Sequence, residues 1–131
     1  MEIARFKRSQ LLGIVKLCTQ EGWPTFSSDH ERALRALTAP GVVTIVAVDA
    51  AQVIGFAQLQ TDGAIQAHLS LIAVSVEYRR KGIGRKLIET AFALSGAERI
   101  DLITETSSEF YESFAHRTMS GYRIYPSSKS N

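Results

Sequence analysis

The sequence predicts a layered α/β (α+β) domain with a mixed, twisted sheet. Two patterns lead to it: β-branched apolar runs bounded by turn residues, and apolar stripes at helical spacing before and among those runs. A third observation is the junction at 71–88, where an apolar strand passes through a basic, glycine-bearing turn into a helix.

In chain order, Leu11, Ile14, Val15 and Cys18 share one stripe and predict a helix over 11–20, and Leu34 and Leu37 predict a weaker one over 28–38. Val42 to Val48 is a nearly unbroken β-branched run. With Val53 to Gln60 it forms a hairpin across Asp49-Ala50-Ala51-Gln52. The Asp-Gly pair of Thr61-Asp62-Gly63 signals another hairpin turn, into a long strand over Ala64 to Val76. Ile83, Leu87, Ile88, Ala91 and Leu94 give an amphipathic helix over 83–94, ended near Ser95-Gly96. Ile100 to Thr104 reads as a strand, and Ser107 to about His116 as a helix opened by a Ser/Thr cap. Tyr122 to Tyr125 reads as a last strand stopped by Pro126.

The chain has 131 residues, 45% apolar and 21% charged, which suits one soluble domain over 1–126 and a disordered tail over 127–131. Its net charge is only +2, and the cations concentrate at 79–86 instead of spreading into a stripe, which disfavours nucleic acid. A single cysteine excludes an internal disulfide and a cysteine zinc site, so Cys18 is expected to pack as a small hydrophobe in a reducing compartment. Arg5, Lys7 and Arg8 interrupt the N-terminal region. Neither a signal peptide nor a membrane span is visible there, and the expected location is cytoplasmic, with no metal.

The junction carries the chemistry. Gly82 and Gly84 allow close backbone approach and positive φ, while the following helix presents unpaired N–H groups at its positive end. Arg79, Arg80, Lys81 and Arg85 surround that end with cations, which favours a phosphate ligand. The spacing fits neither the Walker loop nor the three-glycine dinucleotide turn.

What stands there, Arg79-x-x-Gly82-x-Gly84 after Val74-x-Val76, resembles the Gln/Arg-x-x-Gly-x-Gly/Ala signature of the GNAT N-acetyltransferase superfamily, and the order of elements follows that family over most of the chain. The resemblance implies a sheet of about six strands flanked by about four helices. It implies acetyl-coenzyme A as cosubstrate, with the pyrophosphate on backbone N–H groups from Arg80 through Lys81, Gly82, Ile83 and Gly84 to Arg85. The pantetheine arm would pair with the main chain around Val74, Ser75 and Val76, and the Val74 N–H would receive the oxyanion. Many members carry proline where Val76 stands.

The same resemblance implies roles in acetyl transfer to an amine of a small molecule or peptide. Tyr111 falls where the family has its general acid, in a Tyr-x-x-x-Gly-Phe pattern that here reads Tyr111 followed by Ala115-His116. His68 aligns with the strand position of a general-base glutamate in some members and shares a face with Ser70, Ile72 and Val74 if no bulge intervenes. An ordered water is the alternative base, and Glu105 and Glu21 are alternatives for orienting the amine. Trp23 and Phe26 either wall the acceptor pocket or plug the space between two helices. Arg117 and Arg123 either recognise an acidic acceptor or lie on the surface. Two other functions fit the same residues: a coenzyme A module or sensor without transferase activity, and a nucleotide-phosphate binder. An exposed last strand at Tyr122 to Tyr125 would allow a homodimer.

Overall fold

The computed structural model describes residues 1–127, and the chain divides into two compact units, Met1–Asp101 and the residues from Leu102 onward. The first unit is built on a five-stranded sheet in the order β1 (Glu2–Arg5), β2 (Val42–Asp49), β3 (Gln52–Thr61), β4 (Gln66–Val74) and β5 (Arg99–Asp101). Pairing is antiparallel from β1 to β4, and β5 lies parallel to β4. The sheet is therefore mixed, as expected.

Helices cover both faces. α1 (Leu11–Gln20), α2 (Thr25–Ser28) and α3 (His30–Thr38) lie on one side, where Ile14, Val15, Leu17 and Cys18 of α1 join Phe26, Ala33, Leu37, Val46, Phe56 and Ala73 in one buried cluster. α4 (Ile83–Ser95) covers the other face with Ile83, Leu87, Ile88 and Ala91. A Cβ on Gly55 would lie 3.2 Å from the Leu87 side chain. Each fully buried aliphatic side chain in these layers contributes on the order of 1.5–3 kcal/mol.

The β2–β3 hairpin closes on Ala50 and Ala51, both at positive φ (50° and 64°), the mirror-image turn that matches strand twist. Alanine has a Cβ, so this turn costs roughly 1–2 kcal/mol per residue that asparagine and glycine would largely avoid. The strand pairing on either side supplies the compensation.

Several sequence expectations are corrected. The strand expected over Ala64 to Val76 is Gln66–Val74, because the Asp62 Oδ1 accepts the N–H groups of Ala64, Ile65 and Gln66 (2.8, 2.8 and 3.2 Å) and holds the first of them in a loop. At its far end Val76–Tyr78 forms a 3-10 turn. The helix expected over 28–38 starts at His30, where Asp29 accepts the Arg32 N–H, and Thr25–Ser28 is the separate one-turn helix α2. β1 was not foreseen. α1 lies where expected, and α4 extends the expected helix by one residue, with Gly96 at φ 73° as its stop.

In the second unit, α5 (Ser108–Glu112) is about half the length expected from Ser107 to His116. Ser107 makes no side-chain cap; its N–H donates to Thr104 Oγ1 at 3.0 Å. Tyr122 to Tyr125 forms no strand, and Tyr122 and Ile124 stand 83% and 89% exposed. The expected disordered tail, 127–131, lies outside the described residues except for Ser127.

The three amide contacts depress the Asp62 carboxyl pKa, chiefly through the Ile65 N–H and next the Ala64 N–H. A depressed folded-state pKa stabilises the fold above the ordinary value of 3.8, and that contribution disappears as pH falls through the lowered value. Asp62→Ala should therefore lower Tm at neutral pH, with the difference from the parent shrinking under acid. Paired thermal melts from pH 7 down to about 2 measure this.

Candidate functional site

The site is assembled on β4. Among the described residues only Gln66, Ala67 and His68 pair with β5, and beyond them β4 has β3 as its one neighbour, so the sheet forks after His68. The register of β4 on β3 slips at the same place. Gln58 faces Leu71 but Leu59 faces Leu69, which leaves Ser70 as the extra residue of a bulge. The Ser70 hydroxyl accepts from Gln60 Nε2 at 2.7 Å.

This bulge decides the side on which His68 stands. Cross-strand partners share a face, so His68, opposite Gln60, lies with Leu71 and Ala73 on the α1–α3 side, while Ile72 and Val74 face α4. The shared face expected for His68, Ser70, Ile72 and Val74 is thereby broken. His68 is exposed at the fork, about 17 Å along the strand from Val74.

At the other end of β4, the Ser75 N–H donates to the Ile54 carbonyl on β3 at 2.8 Å. Backbone alternation then turns the N–H and C=O of Val74 to the unpaired edge. The Val74 carbonyl already accepts from Arg79 Nε at 3.0 Å, leaving it one further lone pair. Val76 lies in the 3-10 turn with its side chain exposed, and its carbonyl accepts the Arg79 N–H at 3.3 Å.

The loop that follows is shaped by left-handed residues. Arg80 has φ 63° and Gly82, the N-cap of α4, has φ 80°. Ile83 is buried and anchors the helix start, Gly84 follows it, and the first N–H groups of α4 point out of the helix end. A Cβ built on Gly82 would meet no atom within 4 Å, so the surroundings of this residue are open and its positive φ is what favours glycine. That combination fits a diphosphate.

The side chains around the loop divide. Arg79 Nη2 pairs with Glu21 Oε1 at 2.6 Å, a contact the sequence did not reveal. Arg85 pairs with Glu89 one turn along α4 (3.6 Å), and Lys81 Nζ stands 5.4 Å from the Tyr78 ring centre. Tyr78 in turn donates to Asp49 Oδ2 at 3.0 Å; this bond and burial raise its pKa. Arg80 and Lys86 enter no ion pair among the described residues.

Tyr111 lies in the second unit, on α5, in edge contact with Phe110 (ring centres 4.9 Å apart) and 6.4 Å from Phe114. It is half-buried, and burial raises its pKa, so the phenol keeps its proton at neutral pH. His116 contacts the Phe114 carbonyl through Nδ1 at 2.7 Å. Cys18 is buried in α1 as expected, with its thiol pushed up to about 11 by burial and by the charge of Glu21. Among the described residues there is no group of three His, Cys, Asp or Glu able to hold a metal, and no helix is long and apolar enough to cross a membrane.

A forked mixed sheet that feeds a glycine loop at a helix start is the fold found in solved acetyltransferase structures. The profile of the acetyltransferase (GNAT) domain matches residues 40–115, more than half of the chain, and the chain belongs to that family. Solved structures share the fold at low identity. An aminoglycoside N-acetyltransferase AAC(6')-Iy in complex with CoA is 16% identical, with TM-score 0.77, covering 96% of this chain and 98% of that one. The aminoglycoside 6'-N-acetyltransferase AAC(6')-IG from Acinetobacter haemolyticus is 16% identical, with TM-score 0.77 and complete coverage of both chains. A ribosomal-protein-alanine N-acetyltransferase from Brucella melitensis biovar Abortus 2308 is 17% identical, with TM-score 0.74, covering 95% of this chain and 97% of that one. No match was found among curated protein sequences.

Gly82→Asp adds bulk and negative charge in front of the α4 donors, at a φ that disfavours a side chain. It should weaken coenzyme A binding by at least about 100-fold in calorimetry, equivalent to ~2.7 kcal/mol. Far-UV circular dichroism should remain that of the parent.

Proposed function

We propose that this chain transfers the acetyl group of acetyl-coenzyme A to a primary amine of a small molecule or peptide, directly, in a ternary complex. The observation that carries the proposal is the open edge of β4, Leu69 to Val74, running into the loop shaped by Arg80 and Gly82. A diphosphate seated on the N–H groups from Arg80 to Arg85 leaves an attached pantetheine arm one extended backbone to pair with, toward the fork. The CoA complex among the fold neighbours supports this donor, and the aminoglycoside and ribosomal-protein enzymes there support an amine acceptor of either size.

The length of that edge revises one role. Val74 and His68 are about 17 Å apart along β4, so they cannot both serve a single carbonyl. With the arm extended along the edge, the thioester lies toward the fork, near the bulge at Ser70 and within the neighbourhood of His68. Val74 then contacts the arm, and main-chain N–H groups beside the bulge receive the oxyanion.

The amine nitrogen attacks the thioester carbonyl carbon, forming the C–N bond. His68 or an ordered water takes the proton from nitrogen, the C–S bond breaks, and Tyr111 protonates the departing thiolate. With its pKa raised by burial, the Tyr111 phenol retains a proton to give at neutral pH. Cytoplasmic placement rests on the single cysteine, and a homodimer on the exposed Tyr122 and Ile124.

Calorimetry with coenzyme A, together with release of free thiol from acetyl-coenzyme A in the presence of a panel of amines, tests the proposal. Amine-dependent release is the expected result. Absence of binding heat from folded protein overturns it. Binding without amine-dependent release favours a coenzyme A sensor, a reading motivated by the end of α5 at Glu112 and by Ala115-His116 in place of the family's Gly-Phe.

Tyr111→Phe should lower kcat by about 10²-fold or more at unchanged coenzyme A affinity. The parent should lose activity at alkaline pH, above the ordinary tyrosine range, as the phenol ionises; the variant should not show that limb. Full turnover in Tyr111→Phe across the pH range removes the acid assignment.

A further inference from the structure

We propose that Arg79 is a positioning residue that couples the donor loop to the loop after α1, and that its guanidinium is not a phosphate ligand. The inference rests on the proposed use of residues 80–85 for a diphosphate.

Arg79 opens the glycine signature, yet its side chain is committed elsewhere. Nε donates to the Val74 carbonyl at 3.0 Å and Nη2 donates to Glu21 Oε1 at 2.6 Å, so one rigid fork spans the end of β4 and the end of α1. Lysine cannot reproduce that geometry, because its charge is a single point on a flexible stem. Glu21 is the C-cap of α1, held where the Gly22 N–H bonds the Thr19 carbonyl, the Trp23 N–H bonds the Cys18 carbonyl, and Gly22 takes φ 79°. These are the bonds of a Schellman motif, which fixes the direction in which the chain leaves the helix. A carboxylate at a helix C-terminus opposes the helix dipole, and the Arg79 cation offsets it.

The connection therefore runs from the donor loop through Arg79 and Glu21 to Trp23. Arg79 is joined directly to Arg80, whose left-handed backbone opens the diphosphate loop. Trp23 packs, partly buried, on the cluster of α1, α2 and α3, and it is the only tryptophan in the chain. A ligand that shifts the loop at Arg80 moves the guanidinium. The Glu21–Trp23 segment must follow or lose its ion pair. Donor binding thus sets the shape of the segment that borders α2.

The single tryptophan makes the coupling measurable. Coenzyme A is titrated into the parent, Glu21→Gln and Arg79→Lys, with affinity read by calorimetry and the segment read by Trp23 emission. The parent should show both heat and an emission change. Glu21→Gln and Arg79→Lys should keep coenzyme A affinity within about threefold and lose most of the emission change, and the double variant should add nothing further. In amine-dependent turnover, each variant should raise the acceptor KM by about fivefold or more.

Three results overturn the coupling. One is binding heat in the parent without an emission response. Another is an undiminished response in both variants. The third is at least about tenfold weaker coenzyme A binding in Arg79→Lys while Glu21→Gln binds as tightly as the parent or more tightly, the pattern of a phosphate-binding arginine released from a competing carboxylate. Absence of heat in the parent instead defeats the donor assignment on which the coupling rests, an outcome calorimetry separates from the other three.

Discussion

The constraint on which the rest of the first unit depends is that, among the described residues, β4 has a full neighbour on one side and only three residues of neighbour on the other. A strand edge left open in a sheet is a row of unused donors and acceptors, which native proteins cover, twist away or use. Here the bulge at Ser70 locally disrupts the ladder just where β5 ends, and the edge beyond it leads into the glycine loop. Helices pack on both faces of the sheet, and the in-plane edge offers β4 backbone groups to an extended ligand.

How far this was legible in the sequence follows from the range over which each feature is determined. α1 and α4 are set by apolar stripes and a terminal glycine, all local, and the sequence located both to within a residue. β1 was missed because Glu2-Ile3-Ala4-Arg5 carries no clear alternation and is defined by its pairing with β2. Tyr122 to Tyr125 has strand-like residue types yet forms no strand, the converse case. The bulge at Ser70 is a property of two strands together. It moves His68 to the other face, and no count along one strand predicts it.

The site shows the same division. The glycine signature was readable because the positive φ at Gly82 favours glycine, and that preference is written in residue type. The duties of the cations were not readable. Arg79, Arg80, Lys81 and Arg85 look alike in a string, yet one is tied to Glu21, one has a left-handed backbone, one stands over Tyr78 and one pairs along α4. A basic cluster in a sequence reports charge, whereas the direction of each side chain depends on partners that are distant in the chain.

These tethers account for a backbone that is otherwise unfavourable. A left-handed arginine costs roughly 1–2 kcal/mol, and such a residue persists only where its surroundings hold it. Arg80 is held from both directions. On one side Arg79 is fixed to Val74 and Glu21; on the other, Lys81 stands against Tyr78, whose hydroxyl is bonded to Asp49 on β2. The contacts are individually modest, since the ion pair is partly solvated and the cation–π contact is long. Together they reach α1, β2 and β4, so relaxing Arg80 would require breaking contacts to three elements at once. The conformation of the loop is therefore held from three elements of the fold, and a change at Arg80 is felt at each of them.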